Sequence, residues 1–403
     1  MSDNGAKNRE ENRVLIGFGE ALAAPEVAWS LLDAGFKVCV FTRNGKRAPI
    51  AHCRNIEVVS LVSPEEDAFE TVEALIHLVC EGGFSTIMPL DDKSIWACDQ
   101  VSRRAPVRVV GPTGSLANLA LDKRAQLQLA SDCRFSVPQT RSIDTAEQLL
   151  DIENLPVILK PALAVNLEQQ QLVKHSNRVC TEKEQLKTYA SQWRQEYPLI
   201  AQPVLRGVGE GLFGLSADCR VGNWSAHRRI RMMNPTGSGS SACRSMPIDE
   251  SLVGPATAMM VKSGWRGLFM LEMLREDTGT AWFMELNGRA WGSMALSRRR
   301  GLEYPAWAVK QATDLSFAAP EIVPKDDVTC RHLGREIVHL LIVLHGPKSD
   351  SATRWPSRWR TCRDVLSFDN AGYWYNWRSG ETRFFLCDTL HTISAAIGRR
   401  TGS

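Results

Sequence analysis

The chain has 403 residues, 44% of them hydrophobic and 23% charged, so it is long enough for two or three domains with their own cores and too apolar for a disordered or disulfide-stapled polypeptide. Its 48 basic and 45 acidic residues leave a formal charge of +3, which excludes the strong polycationic field of a typical nucleic-acid binder. No apolar run approaches the roughly 18 residues of a membrane span, and the eleven cysteines show no CxxC or Cys/His ligand spacing, so the expectation is a cytoplasmic protein with reduced thiols and no membrane partner.

Residues 1–13 are polar and charged and read as a frayed terminus. Residues 14–16 form a short apolar strand, Gly17-Phe18-Gly19 a turn, residues 25–33 a helix and residues 37–42 a second strand, which together make one βαβ unit. A helical stretch over residues 64–80 and apolar runs at 86–90 and 107–110 continue the alternation, implying a small parallel sheet that ends at Gly111-Pro112. From Thr113 the pattern changes: a helix carries Asp122-Lys123, Val137-Pro138 opens a strand, and residues 155–161 form another. An apolar strand near residue 199, a stretch with Gly207, Gly209, Gly211 and Gly214, the basic run His227-Arg228-Arg229-Ile230-Arg231 and a Gly/Ser loop over 236–242 follow.

The turn at Gly17 and Gly19 resembles the start of a dinucleotide-binding fingerprint, in which glycines let a pyrophosphate approach a helix N-terminus. The third glycine position holds Leu22, and the second strand ends in Thr42-Arg43-Asn44 instead of an acid for the ribose, so an NAD-dependent protein is disfavoured.

The most informative stretch is residues 267–289. Two apolar runs flank Asp277-Thr278-Gly279, a hairpin signal. With the turn centred between Thr278 and Gly279, Glu272 lies opposite Glu285, Asn287 shares their face, and Leu271, Met273, Met284 and Leu286 form the other face. Like charges facing across a strand pair are destabilising, and a divalent cation compensates them, because Mg²⁺ takes oxygen ligands, needs only one or two protein carboxylates and completes its shell with phosphates and water. The plainer alternative is a solvent-facing hairpin whose glutamates pair with Arg275 or Arg289. Arg289 just past the ligands suits bidentate binding of a phosphate or carboxylate. Lys160 closes an apolar strand where an ammonium is costly unless an anion meets it, and Lys123 precedes it on a helix.

In this order the motifs resemble the ATP-grasp superfamily, near its carbamoyl-phosphate-synthase-like and carboxylate-amine ligase branches: Asp122-Lys123 with Val137-Pro138-Gln139-Thr140, the strand ending Lys160-Pro161, the segment from Leu199 through Gln202 to Gly207, and above all Glu272 followed by Met284-Glu285-Leu286-Asn287-Gly288-Arg289. The resemblance covers residues 14–315. It implies an α/β protein: a βαβ pre-ATP-grasp domain over 14–112, a two-lobed α+β ATP-grasp domain over 113–320 and a small C-terminal lid or accessory region over 321–403.

The resemblance further implies that Lys123 and Lys160 contact the phosphates of ATP, that Gln202, Val204 and Leu205 line the adenine at the hinge, and that Glu210 meets the ribose. Glu272, Glu285 and Asn287 would hold Mg²⁺ or Mn²⁺, while Arg289 and Arg231 act catalytically and His227, Arg228, Ser240 and Ser241 bind the substrate carboxylate. The implied reaction activates a small-molecule carboxylate as an acyl phosphate and joins it to an amine, releasing ADP and phosphate. Two features depart from the superfamily: residues 162–174, where a glycine-rich loop normally covers the triphosphate, contain no glycine, and Gln202 stands where an acid is common. The first departure admits a catalytically degenerate ATP-binding scaffold. The Trp/Arg segment at Arg354, Trp355, Arg358, Trp359 and Arg360 could stack on nucleic-acid bases, or form a lid or a homodimer face through cation-π packing. Cys243, near the site, reads as a buried structural thiol.

Overall fold

The computed structural model describes residues 12–193, 195–217, 220–235, 237, 239–347, 355–367 and 372–401. Most of the expected frayed terminus, together with Arg354, Thr236 and Ser238, lies outside these residues. Arg13 already belongs to strand β1 (Arg13–Gly17), which sits in a parallel sheet with β2 (Lys37–Arg43), β3 (Ile56–Leu61), β4 (Thr86–Pro89) and β5 (Arg108–Val109), in the order β3-β2-β1-β4-β5. Successive residues Val14, Leu15 and Ile16 are all fully buried because helices cover both faces of this sheet. Val14 and Ile16 pack against helix Ala24–Asp33, and Leu15 against helices Ala68–Gly82 and Asp92–Ser102.

Strand β3 and the helix at 92–102 escape the sequence reading, the first because it is a half-exposed edge strand and the second because its hydrophobicity is low. The helix expected from residue 64 begins at Ala68, where the Asp67 side chain accepts from the N–H groups of Phe69 and Glu70, and it stops at Gly83 in the left-handed conformation (φ 66°).

The next unit is a four-stranded antiparallel sheet, in the order β10-β7-β11-β6, of β6 (Arg141–Ile143), β7 (Val157–Pro161), β10 (Arg178–Cys180) and β11 (Leu199–Pro203), with a small hairpin of β8 (Asn166–Glu168) and β9 (Gln171–Val173) inserted after β7. The strand anticipated at Val137 starts only at Arg141; ahead of it, the Ser136 carbonyl accepts from the Phe283 N–H. The largest sheet has seven strands: β12 (Val208–Ala217), β13 (Arg220–Met232), β14 (Ser240–Met246), β15 (Gly267–Arg275), β16 (Ala281–Asn287), β17 (Thr329–Arg331) and β18 (Gly372–Trp374), in the order β16-β15-β12-β13-β14-β17-β18. The C-terminal region therefore supplies two strands of this sheet, and its helices Leu333–His345 and Thr382–Thr401 pack on each other, the latter also against residues 49–52.

The two faces of the large sheet have different neighbours. Leu212, Leu271, Met273 and Leu286 join a core with Met259 and Met260 of helix Glu250–Ser263. Phe213 and Met270, on the other face, join Trp291 and Tyr304 in a core shared with Val14 and Trp29 of the N-terminal unit. The architecture is a parallel-sheet domain followed by two α+β lobes.

Candidate active site

Strands β15 and β16 form the anticipated hairpin, with Glu272 directly opposite Glu285 and Met270 opposite Asn287. The route to that register differs from the sequence argument. The turn is centred on Thr278, with the Glu276 N–H donating to the Thr280 carbonyl, and Met273 pairs with Phe283. Continued without interruption, this register would put Met284 opposite Glu272 and turn Glu285 to the other face. A β-bulge between Glu272 and Met273 takes up Met284 and returns Glu285 and Asn287 to the face of Glu272.

Burial pushes the Glu285 carboxyl above its ordinary value, and Asp92 and Glu272 add to the push while Lys123 and Arg289 oppose it. On the second sheet, Lys160 Nζ donates to Gln202 Oε1 at 2.8 Å, and Gln202 Nε2 donates to Thr140 Oγ1 at 2.8 Å. Burial lowers the Lys160 ammonium, countered by Glu285 and Glu272 and reinforced by Lys123. Lys123, Lys160, Glu272, Glu285 and Arg289 thus form one electrostatically coupled group. Val204 and Leu205 are half-buried in the linker that leaves β11.

Arg289 does not stand free. Its Nε donates to Asp92 Oδ1 at 2.8 Å, and Lys174 Nζ donates to Asp92 Oδ2 at 2.7 Å. Burial pushes the Asp92 carboxyl up, but Arg289 and Lys174 outweigh it and hold the group well below the usual carboxylate range. Lys174 ends the glycine-free loop, which is the β8–β9 hairpin. Its turn residues Gln169 and Gln170 both have positive φ (45° and 72°), the role glycine commonly fills, and the hairpin docks on the N-terminal unit through the Gln170 carbonyl to the Ala68 N–H and the Leu172 N–H to the Pro64 carbonyl.

Beside the carboxylates lies a cavity of about 330 Å³ lined by His227, Arg229, Ser240, Glu272, Asn287 and Arg289, among others. Gly209 and Gly211 on β12 clear its floor: a Cβ on Gly209 would lie 2.8 Å from Arg229 Cδ, and one on Gly211 would lie 2.9 Å from His227 Nε2. Arg229 crosses this gap to donate to Glu272 at 2.7 Å. His227 Nδ1 shares a hydrogen bond with Ser293 Oγ at 2.7 Å, Nε2 is buried without a partner among the described residues, and burial brings the ring down to about 3, so it is neutral at physiological pH. Cys243 is buried and hydrogen-bonded to Ser240, and burial raises its thiol.

Other sequence candidates lie elsewhere. Glu210 and Arg228 pair with each other on the sheet face opposite Glu272, and the buried Glu210 is held by Arg228 (2.7 Å) and Arg275 (2.7 Å). Arg231 donates to both oxygens of the buried Glu336 from Nε and Nη2, and Ser241 Oγ donates to the same carboxylate at 2.6 Å, so both hold the helix Leu333–His345 to the sheet. The glycines of the first turn answer to packing: a Cβ on Gly17 would strike the Phe41 ring and one on Gly19 would strike Val40, both at 2.6 Å. Where a dinucleotide ribose would sit, Arg43 instead binds Glu20, Glu65 and Asp91.

Asp92 and Arg229 are the residues the sequence reading leaves unassigned. Asp92 had a signal, since Asp91-Asp92 follows the carboxyl end of a parallel strand, where open α/β sheets place ligand-binding residues. Arg229 belongs to a basic run whose members point to alternate faces, and nothing local distinguishes it from Arg228.

The donor chemistry fits a hard divalent cation. Among the described residues no group of three His, Cys, Asp or Glu side chains assembles, which excludes an all-protein cage for a soft metal, whereas two carboxylates and an amide suit Mg²⁺ with phosphates completing its shell. The cost of ionising Glu285, chiefly burial with a smaller push from Asp92 and Glu272, is what such an ion relieves.

No protein-family model and no curated protein sequence matches the chain. Solved structures do. An L-amino acid ligase from Bacillus licheniformis is 16% identical with a TM-score of 0.57, covering 76% of this chain and 75% of that one. An N5-carboxyaminoimidazole synthetase from Staphylococcus aureus gives 12% and 0.63, covering 88% and 93%. A biotin carboxylase from Campylobacter jejuni, solved with β,γ-ATP, gives 14% and 0.59, covering 77% and 72%. At these identities the likeness is one of fold, and the fold is that of the ATP-grasp enzymes. Among the described residues no helix is long and apolar enough to cross a membrane.

Proposed function

We propose that this chain is an ATP-dependent carboxylate-amine ligase. The observation that carries the reading is the bulged hairpin, which gathers Glu272, Glu285 and Asn287 on one face of the sheet, with Lys123 and Lys160 in electrostatic reach of its carboxylates. The fold neighbours named above, two of them ligases or synthetases by name, support the reaction class.

In this reading Glu272, Glu285 and Asn287 hold Mg²⁺, which neutralises charge on phosphate oxygens when bound. Lys160 reaches the phosphates from below. Its hydrogen-bond partner is the neutral amide of Gln202, so the ammonium keeps its full charge for an anion, which an acid at that position would cancel. Lys123 approaches from the start of helix Lys123–Asp132. A substrate carboxylate oxygen displaces ADP from the γ-phosphorus to give an acyl phosphate, and an amine then displaces phosphate and loses a proton as the amide forms. Catalysis of both steps is positioning plus charge stabilisation, with no covalent protein intermediate. Arg289, aimed by Asp92, faces the transferred phosphoryl group, and His227 and Ser240 border the acid substrate.

The test is ATP-dependent phosphate release across a panel of amino acids and small carboxylic acids, with mass spectrometry of the product, in the wild type and in Glu285→Gln. Release with at least one acid, lost in the variant while the fold is kept, supports the ligase; equal turnover in the variant removes the metal role. The closed β8–β9 hairpin favours a second reading, an ATP-binding scaffold without turnover. ATP binding by calorimetry with no phosphate release from any acid would select it.

A further inference from the structure

A second and larger cavity, about 730 Å³, lies between the turn after β1 and the C-terminal helices, and it has no part in the chemistry derived above. Ala21, Leu22 and Arg335 line both this cavity and the one holding Glu272 and Arg289, so the two adjoin at Arg335.

Most of the charges in the larger cavity are already satisfied. Glu20 accepts from the Arg43 backbone N–H and Nη1. His332 is fixed in one tautomer: Nδ1 accepts from the Arg335 backbone N–H at 3.3 Å, so Nε2 carries the hydrogen and donates to Asp388 Oδ2 at 3.1 Å. Asn376 Nδ2 donates to the same oxygen at 2.9 Å. Two groups are left over. Asp388 Oδ1 accepts no hydrogen bond among the described residues. The Arg335 guanidinium has no carboxylate within ion-pair distance among them and donates only to the Ser240 carbonyl, at 3.0 Å. Asp388, with one oxygen unused, and Arg335, with donors unused, thus line one cavity, near enough to attract each other. Arg47 adds a solvent-exposed cation on the lining, and Pro25, Ile50, Val338, Ile342 and Phe384 make an apolar wall.

We infer that this cavity binds an α-amino acid with an apolar side chain, its ammonium on Asp388, its carboxylate on Arg335 and its side chain on the apolar wall. A carboxylate held by Arg335 stands where the two cavities adjoin, so the bound amino acid is the acid substrate of the proposed ligase; this last point rests on the ligase reading, while the binding itself does not.

Calorimetry on the full chain, with and without Mg²⁺ and a non-hydrolysable ATP analogue, tests it with L-leucine, L-methionine and L-phenylalanine against N-acetyl-L-leucine, L-leucinamide and 4-methylpentanoate. The free amino acids are expected to bind about 10- to 100-fold more tightly than the three analogues, as expected when a charge-assisted partner is lost. Asp388→Asn, which can still accept from His332, should remove the preference for leucine over 4-methylpentanoate. Absence of amino-acid binding, equal binding of N-acetyl-leucine, or an unchanged preference in the variant overturns the inference. The ligand series on the wild type needs no variant to fold. Amino acids that bind with this preference, with no phosphate release from any acid, would leave the cavity assignment standing and the ligase reading fallen. Phosphate release driven by other acids, with no amino acid binding, would do the reverse.

Discussion

Gln126 ties the two halves of the candidate site together, and its removal gives the sharpest test of how the site is built. Strand β16 is the edge of the large sheet, so the outward N–H and C=O of the fully buried Leu286 have no strand partner. Gln126, one helical turn after Lys123, supplies one: its Oε1 accepts from the Leu286 N–H at 2.9 Å and its Nε2 donates to the Leu286 carbonyl at 3.2 Å, as well as to the carbonyls of Leu119 and Ala120. Gln126→Leu keeps the volume and abolishes these bonds. Two buried backbone groups left unpaired cost about 1–3 kcal/mol each, so local opening of β16 should become easier by about 2–6 kcal/mol, and amide exchange there should rise about 30-fold or more. Hydrogen exchange read by mass spectrometry on a peptide covering 281–287 measures this, and the KM for ATP should rise with it, because Lys123 and Glu285 lose their common anchor. Exchange within about threefold of the wild type would refute the argument and make packing, not hydrogen bonding, the link.

Three further outcomes follow from the charges. The Glu285 carboxyl is raised, chiefly by burial, so the folded state holds a proton that the unfolded chain releases; stability without metal should therefore fall as pH rises above about 4.5, and Glu285→Gln should flatten that slope in thermal melts and abolish stabilisation by Mg²⁺ with an ATP analogue. Gln202→Glu places an acid beside Lys160 and should weaken binding of the analogue about tenfold by calorimetry, with Lys160→Ala weaker still; unchanged affinity in both would remove Lys160 from the phosphate site. Asp92→Ala releases Lys174 and leaves Arg289 without its carboxylate, so limited proteolysis within residues 166–173 should quicken, and an unchanged cleavage rate would show that the backbone bonds to Pro64 and Ala68 hold the hairpin alone.

What was legible in the sequence divides along a physical line. Within one hairpin the period of two fixes which side chains share a face, so Glu272, Glu285 and Asn287 could be grouped from spacing, although the half-residue error in the turn was cancelled only by a bulge that no spacing announces. In the basic run 227–231 the same period separates His227 and Arg229 from Arg228, but deciding which set faces the cleft needs the pairing of β13 with β12, a contact set by tertiary packing. The same holds for Glu210: it lies one residue from Gly211, on the other side of the sheet from Glu272. Helix 92–102 and its Asp92 were missed because the segment is too polar to show a periodic apolar face.

The charges that do converge make a stronger case than any single residue. Around Glu272, Glu285 and Asp92 stand six cations, Lys123, Lys160, Lys174, Arg229, Arg289 and Arg335. If the cluster served only stability, each carboxylate would have a cation of its own and the excess cations would turn to solvent. Instead Arg229 takes one oxygen of Glu272, Asp92 is shared by Lys174 and Arg289, and the half-buried Glu285 has neither a salt bridge nor a hydrogen bond among the described residues. A surplus of positive charge beside an unpaired carboxylate suits a ligand that is both anionic and cationic, and a polyphosphate carrying a divalent metal is one. Binding of the analogue should therefore require the metal: calorimetry after chelation should show its affinity lost by tenfold or more, and metal-independent binding of equal strength would show that the carboxylates are not part of the nucleotide site.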